Sequence, residues 1–157
     1  MKKVFLLATI AFLIGCKTKT EVSKENQVTF DSSLAKSLGA DDYGMKNYVM
    51  AFLKSGSVKI TDSTERAILQ KAHLKNIQRL ADEGKLIIAG PFLDNQEIRG
   101  IFIFNVETLE EAKTLTETDP AIKAGTLVME LHPWYGSAAL VESVKIHRTI
   151  QKKSFGE

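Results

Sequence analysis

Apolar positions along this chain keep two different rhythms. Tyr48-Val-Met-Ala-Phe-Leu53 is a short unbroken apolar run stopped by Ser55-Gly56, the mark of a buried strand. Further on the spacing turns helical: at about 100° per residue, Leu69, Leu74, Ile77, Leu80 and Ala81 share one arc. Asp62-Ser-Thr-Glu65 resembles a capping box at the start of that helix, and Gly84 suits its end. Strands are then expected at Lys85–Ala89, closed by Gly90-Pro91, and at Gly100–Asn105. Thr108-Leu-Glu-Glu111 opens a second helix with Leu109, Ala112 and Leu115 on its face. Asp119-Pro120 to Gly125 reads as one helical turn, with Asp as N-cap, Pro at the first position and Gly at the exit. A last strand, Thr126–His132, ends at Pro133-Trp134-Tyr135. The order is βαββαβ, an α+β fold of ferredoxin-like type with an antiparallel sheet and two helices on one face.

The strands carry a second message. A sheet with one wet face alternates apolar and polar residues, whereas Ile101-Phe-Ile-Phe104, Leu86-Ile-Ile-Ala89 and Tyr48–Leu53 do not. Two helices cover only one face, so the other must meet something. A second copy of the sheet is the simplest partner, which predicts a homodimer packed sheet to sheet. The alternative cover is the chain's own tether or tail.

Both ends lie outside the expected domain at residues 43–136. Residues 1–15 have a basic start, an apolar run from Val4 to Ile14 broken only by Thr9, and a closing Gly15. The run is shorter than the roughly 20 residues a bilayer span requires and fits the centre of a secretory signal. Leu13-Ile14-Gly15-Cys16 resembles the lipobox of bacterial lipoproteins, which implies cleavage before Cys16 and its lipidation. The expected place is then the cell envelope, with the protein lipid-anchored to a bacterial membrane through Cys16. As the only cysteine, Cys16 has no internal disulfide partner. Residues 16–42 read as a polar tether with a short helical turn around Phe30, Leu34 and Leu38, and residues 137–157 as a C-terminal extension. Lys2 and Lys3 belong to the leader. Without them the 21 basic side chains become 19, equal to the 19 acidic ones, and no clustered basic footprint calls for nucleic acid.

His73 stands inside the apolar arc of the first helix, one turn after Leu69 and one turn before Ile77. His73 within AHLKNIQRLADEGKL, then AGPF with Asp94 shortly after, then LEEAKTLTETDPAIKAG and ELHPW, resemble in order and spacing the YCII-related family over about residues 44–136. The resemblance implies a ferredoxin-like fold that dimerises into an α+β barrel, similar in architecture to muconolactone isomerases and antibiotic-biosynthesis monooxygenases. It implies chemistry without metal or organic cofactor, as in a related dehydrochlorinase of a chlorinated hydroxyhydroquinone. The family's proposed catalytic pair, a helix His and the Asp of a DP motif, falls on His73 and Asp119. Most members are short and cytoplasmic, so the leader, tether and extension set this chain apart.

A histidine near neutrality can take or give a proton, and a carboxylate on one imidazole nitrogen orients the ring and stabilises the imidazolium. The suited reactions are enolisation, isomerisation and elimination at carbon beside a carbonyl or phenol. Asp94 and Trp134 are the expected pocket residues, Trp134 as part of an aromatic wall. Glu130 and His132 share a strand face but lack a third ligand at sensible spacing, so no metal is expected. Two functional classes remain: a lipid-anchored isomerase or lyase of dehydrochlorinase type acting on a small organic substrate, and a non-catalytic dimeric ligand-binding or envelope-structural module.

Overall fold

A computed structural model describes residues 28–154. The leader, Cys16 and the first part of the expected tether lie outside them. The four apolar runs form β1 (Met45–Ser55), β2 (Leu86–Pro91), β3 (Ile98–Phe104) and β4 (Leu127–Ser137), all antiparallel in the order β2-β3-β1-β4. This is the ferredoxin-like topology, with β1 as an inner strand and β4 at one edge.

Two strands run further than the apolar pattern suggests. β1 begins at Met45 because Met45, Lys46 and Asn47 pair with Ser137, Gly136 and Tyr135. β4 continues through Pro133, opposite Val49, instead of stopping there. An edge strand tolerates a proline, since its outer side has no ladder to feed.

The helices start where the caps place them. Asp62 accepts from the Glu65 amide at 2.7 Å to open α2 (Ser63–Asp82), after the short α1 (Ser32–Leu38). Thr108 accepts from the Glu111 amide at 3.1 Å to open α3 (Leu109–Thr116). The expected helical turn is α4 (Pro120–Lys123). α1 falls in the expected tether, capped by Asp31 and ended by Gly39, whose φ of 71° suits a residue without a Cβ. The extension is also ordered, as a 3-10 turn (Ala138–Glu142) followed by α5 (Ser143–Ile150).

Each face of the sheet has its own core. Val49, Ala51, Leu53, Phe102 and Phe104 pack with Leu80 and Ala112 on the helix side. Tyr48, Ile87 and Ile103 point the other way and meet Leu140, Val141 and Val144 of the C-terminal segment. Ser143 Oγ lies 3.0 Å from the Ile87 carbonyl, Arg148 pairs with Asp82 of α2, and the Tyr48 hydroxyl donates to the Ser137 carbonyl. The tail therefore covers part of the face that the strands leave apolar. A strip with Phe52, Val128, Glu130 and His132 lies beyond that apolar cluster, and 49% of Val128 is exposed.

Candidate active site

α2 lies on the sheet with His73, Asn76 and Leu80 buried along its inner face. The His73 ring stacks on Phe102 of β3, with 6.2 Å between centroids and 14° between planes. Its Nδ1 is 2.7 Å from Asp119 Oδ2, and both residues are buried. The other Asp119 oxygen accepts from the Ala121 amide at 2.8 Å, so Asp119 caps α4 while it holds the histidine.

The turn that carries Asp119 is tied back to α2. Asn76 Oδ1 accepts from Thr118 Oγ1 at 3.1 Å and from Arg79 Nη2 at 2.9 Å. The residue before Asp119 is thus bonded to α2 one helical turn from His73.

With Nδ1 occupied, Nε2 makes no hydrogen bond among the described residues. His73 lines a cavity of about 290 Å3 between α2 and the strands. Its walls are largely apolar, with Leu53, Leu74, Ile77 and Phe102, and its polar members besides His73 are Gln70 and Arg99. Gly100 lets the neighbouring strands close in there, since a Cβ would sit 2.5 Å from the Gly90 carbonyl oxygen.

Arg99 reaches this cavity through an irregularity in pairing. Leu53 pairs with Gly100, but the next residue, Lys54, pairs with Ile98, so Arg99 is an extra residue bulged from β3. A bulge re-aims a side chain, here bringing Arg99 to the helix side. Sequence patterning passed over Arg99, whose one local signal is its place before Gly100 at the head of an apolar run.

Asp94 and Trp134 do not join His73 within one chain. Asp94 is exposed in the connection between β2 and β3. Trp134 lies on the opposite face, 5.8 Å from the Tyr48 ring, because β4 continues past Pro133 and keeps its alternation. Gly136 is small for a reason: a Cβ there would come within 2.3 Å of the Trp134 ring. Glu130 and His132 bond each other at 2.8 Å, and Lys54 pairs with Glu130 at 2.6 Å. The Lys54 ammonium, and then His132, hold the Glu130 carboxyl below its ordinary range.

The chain matches no curated protein. Among solved structures it is similar to the 5-chloro-2-hydroxyhydroquinone dehydrochlorinase of Burkholderia phenoliruptrix AC1100, in complex with 2,5-dihydroxybenzoquinone. The identity is 22% and the TM-score 0.41, over 55% of this chain and 92% of that one. The model of the YCII-related domain matches residues 47–135, from early in β1 to late in β4, with His73 and Asp119 inside the match. By that match, over more than half of its length, the chain belongs to the YCII-related family.

Proposed function

We propose that this protein is a cofactor-independent acid–base enzyme of isomerase or lyase type, lipid-anchored in the cell envelope, with His73 as proton carrier and Asp119 as its orienting carboxylate. The observation that carries the reading is the 2.7 Å contact between the two at the wall of a cavity. A carboxylate accepting from Nδ1–H leaves the lone pair on Nε2 and steadies the imidazolium once Nε2 has taken a proton. A proton taken from carbon beside a carbonyl or phenol yields an enolate. Return of the proton at another carbon completes an isomerisation, and departure of a β-substituent completes an elimination.

Membership of the YCII-related family supports this reading. The lipid anchor is supported by Leu13-Ile14-Gly15-Cys16, and a sheet-to-sheet homodimer by the unbroken apolar runs of the strands, with Val128 exposed beyond the tail.

The decisive experiment follows hydrogen–deuterium exchange of enolisable acids and phenols in D2O by NMR, with wild type and His73→Gln. Loss of exchange by about 10²–10⁴-fold is expected on removing a general base. Equal exchange by a folded His73→Gln protein sinks the reading. Radiolabelled palmitate incorporation lost in Cys16→Ser checks the anchor, and light scattering of residues 28–157 checks the dimer.

A further inference from the structure

The cavity at His73 has a neighbour. A second hollow of about 280 Å3 shares Gln70, Arg99 and Leu127 with it, and Lys59 and Arg66 line its far part. Among the described residues no Asp or Glu lines either hollow. Asp119 is buried and already holds the His73 Nδ1.

The three cations bond backbone carbonyls. Lys59 donates to the Gly56 carbonyl, Arg66 to the Ile60 carbonyl and Arg99 to the Gln96 carbonyl at 3.4 Å. None of them pairs with a carboxylate among the described residues. A backbone carbonyl satisfies a donor without balancing its charge. Arg99 is half-buried at the junction of the hollows, where partial removal from water strengthens an ion contact. Its guanidinium offers the fork that binds a carboxylate through two parallel bonds.

We infer that the site takes a small organic acid: an apolar carbon body against Phe102 and Leu74, a carboxylate on Arg99, and the reacting C–H at His73 Nε2. This inference rests on the acid–base reading above and names its substrate class. In the step, Nε2 takes the proton of carbon beside a carbonyl. The C–H electron pair forms the enolate double bond, and the charge settles on the carbonyl oxygen. Return of a solvent proton to the same carbon gives exchange, and its return to a different carbon gives isomerisation. Arg99 binds the carboxylate through both states, so it acts on binding more than on the chemical step.

Phenylpyruvate and its neutral methyl ester are the probes, used with the full-length protein in detergent. Ligand line broadening gives binding, and exchange of the C3 protons in D2O gives turnover. Phenylpyruvate is expected to bind about 10- to 100-fold tighter than the ester, the size of a charge-assisted pair of hydrogen bonds. Arg99→Gln is expected to remove that preference, raising KM with little change in kcat, and Arg99→Lys to restore part of it. His73→Gln is expected to keep binding and lose exchange. Equal binding of acid and ester by wild type, absence of saturable phenylpyruvate binding, or a preference that survives in Arg99→Gln overturns the organic-acid inference. Exchange that survives in His73→Gln overturns the acid–base reading instead.

Discussion

Asp119 holds His73 and its own helical turn with different oxygens, Oδ2 lying 2.7 Å from Nδ1 and Oδ1 accepting from the Ala121 amide at 2.8 Å. The cap and the imidazole contact are therefore one unit. Asp119→Ala is expected to cost about 0.5–2 kcal/mol for the cap and about 1–3 kcal/mol more for the unpaired buried nitrogen. Asp119→Asn keeps an acceptor and should lose less. Urea unfolding of both variants measures this, and an Ala variant as stable as wild type would remove the basis for a coupled unit.

The same contact dictates a tautomer. In the neutral ring the proton sits on Nδ1, because a carboxylate there only accepts. Nitrogen-15 NMR of the His73 ring should show a protonated Nδ1 and a bare Nε2, with the preference weakened in Asp119→Asn. A protonated Nε2 in the wild type is incompatible with Nε2 acting as base.

Asn76 and Arg79 both tie α2 to the turn at Thr118. Asn76→Ala removes one acceptor of both Arg79 and Thr118, which keep Glu83 and the Leu115 carbonyl, and should destabilise the fold by about 0.5–1.5 kcal/mol. It should also slow any His73-dependent turnover, because one of the two bonds from α2 to the turn before Asp119 is lost. Turnover unchanged at full stability cost would assign Asn76 to folding alone.

Residues after Ser137 stabilise the sheet from the far side. Leu140, Val141 and Val144 pack on Tyr48, Ile87 and Ile103. Truncation after Ser137 is expected to cost about 3 kcal/mol or more, at about 1.5–3 kcal/mol for each large apolar side chain returned to water. Denaturant midpoints and binding of a hydrophobic dye report it. Full stability after truncation would show that the tail rests on the sheet without contributing.

Asp41 and Tyr135 form a pH-sensitive tie at the start of β1. The Tyr135 hydroxyl, and then the Met45 amide, hold the Asp41 carboxyl below its ordinary 3.8. Asp41 in turn pushes the Tyr135 hydroxyl above its ordinary 10.0. The depressed carboxyl stabilises the fold above pH 3.8 and stops doing so as pH falls through its folded value. The raised phenol stabilises below pH 10.0 and stops doing so as pH rises through its folded value. Relative to wild type, Tyr135→Phe should lose stability between these limits and converge with it beyond both. A difference in Tm that stays constant from acid to alkali would contradict the tie.

Local chemistry was the most legible part of the sequence. Asp62, Thr108 and Asp119 announce helix starts because a cap is settled within four residues. The arc through Leu69 and Leu80 placed His73 inward, but nothing local pairs it with a residue 46 positions away, and family resemblance supplied that partner. Arg99 was hidden because a bulge is a mismatch between two strands, invisible in either alone. The pairing of Trp134 with Tyr48 is not legible locally, because Pro133 resembles a strand end while β4 keeps its alternation through it. The tail's apolar residues are sparse, and only contact with Ile87 and Ile103 gives them a common face.

Tyr48 and Val49 are neighbours in the chain and members of different cores. Because the sheet divides the molecule in this way, the wall of the His73 cavity and the surface under the tail are built from alternate residues of the same strands. The tail covers one face of the sheet, while Leu53, Phe102 and Leu127 line the His73 cavity on the other. A substitution under the tail therefore changes a different set of side chains from one in the cavity wall, even where the two positions are adjacent in sequence.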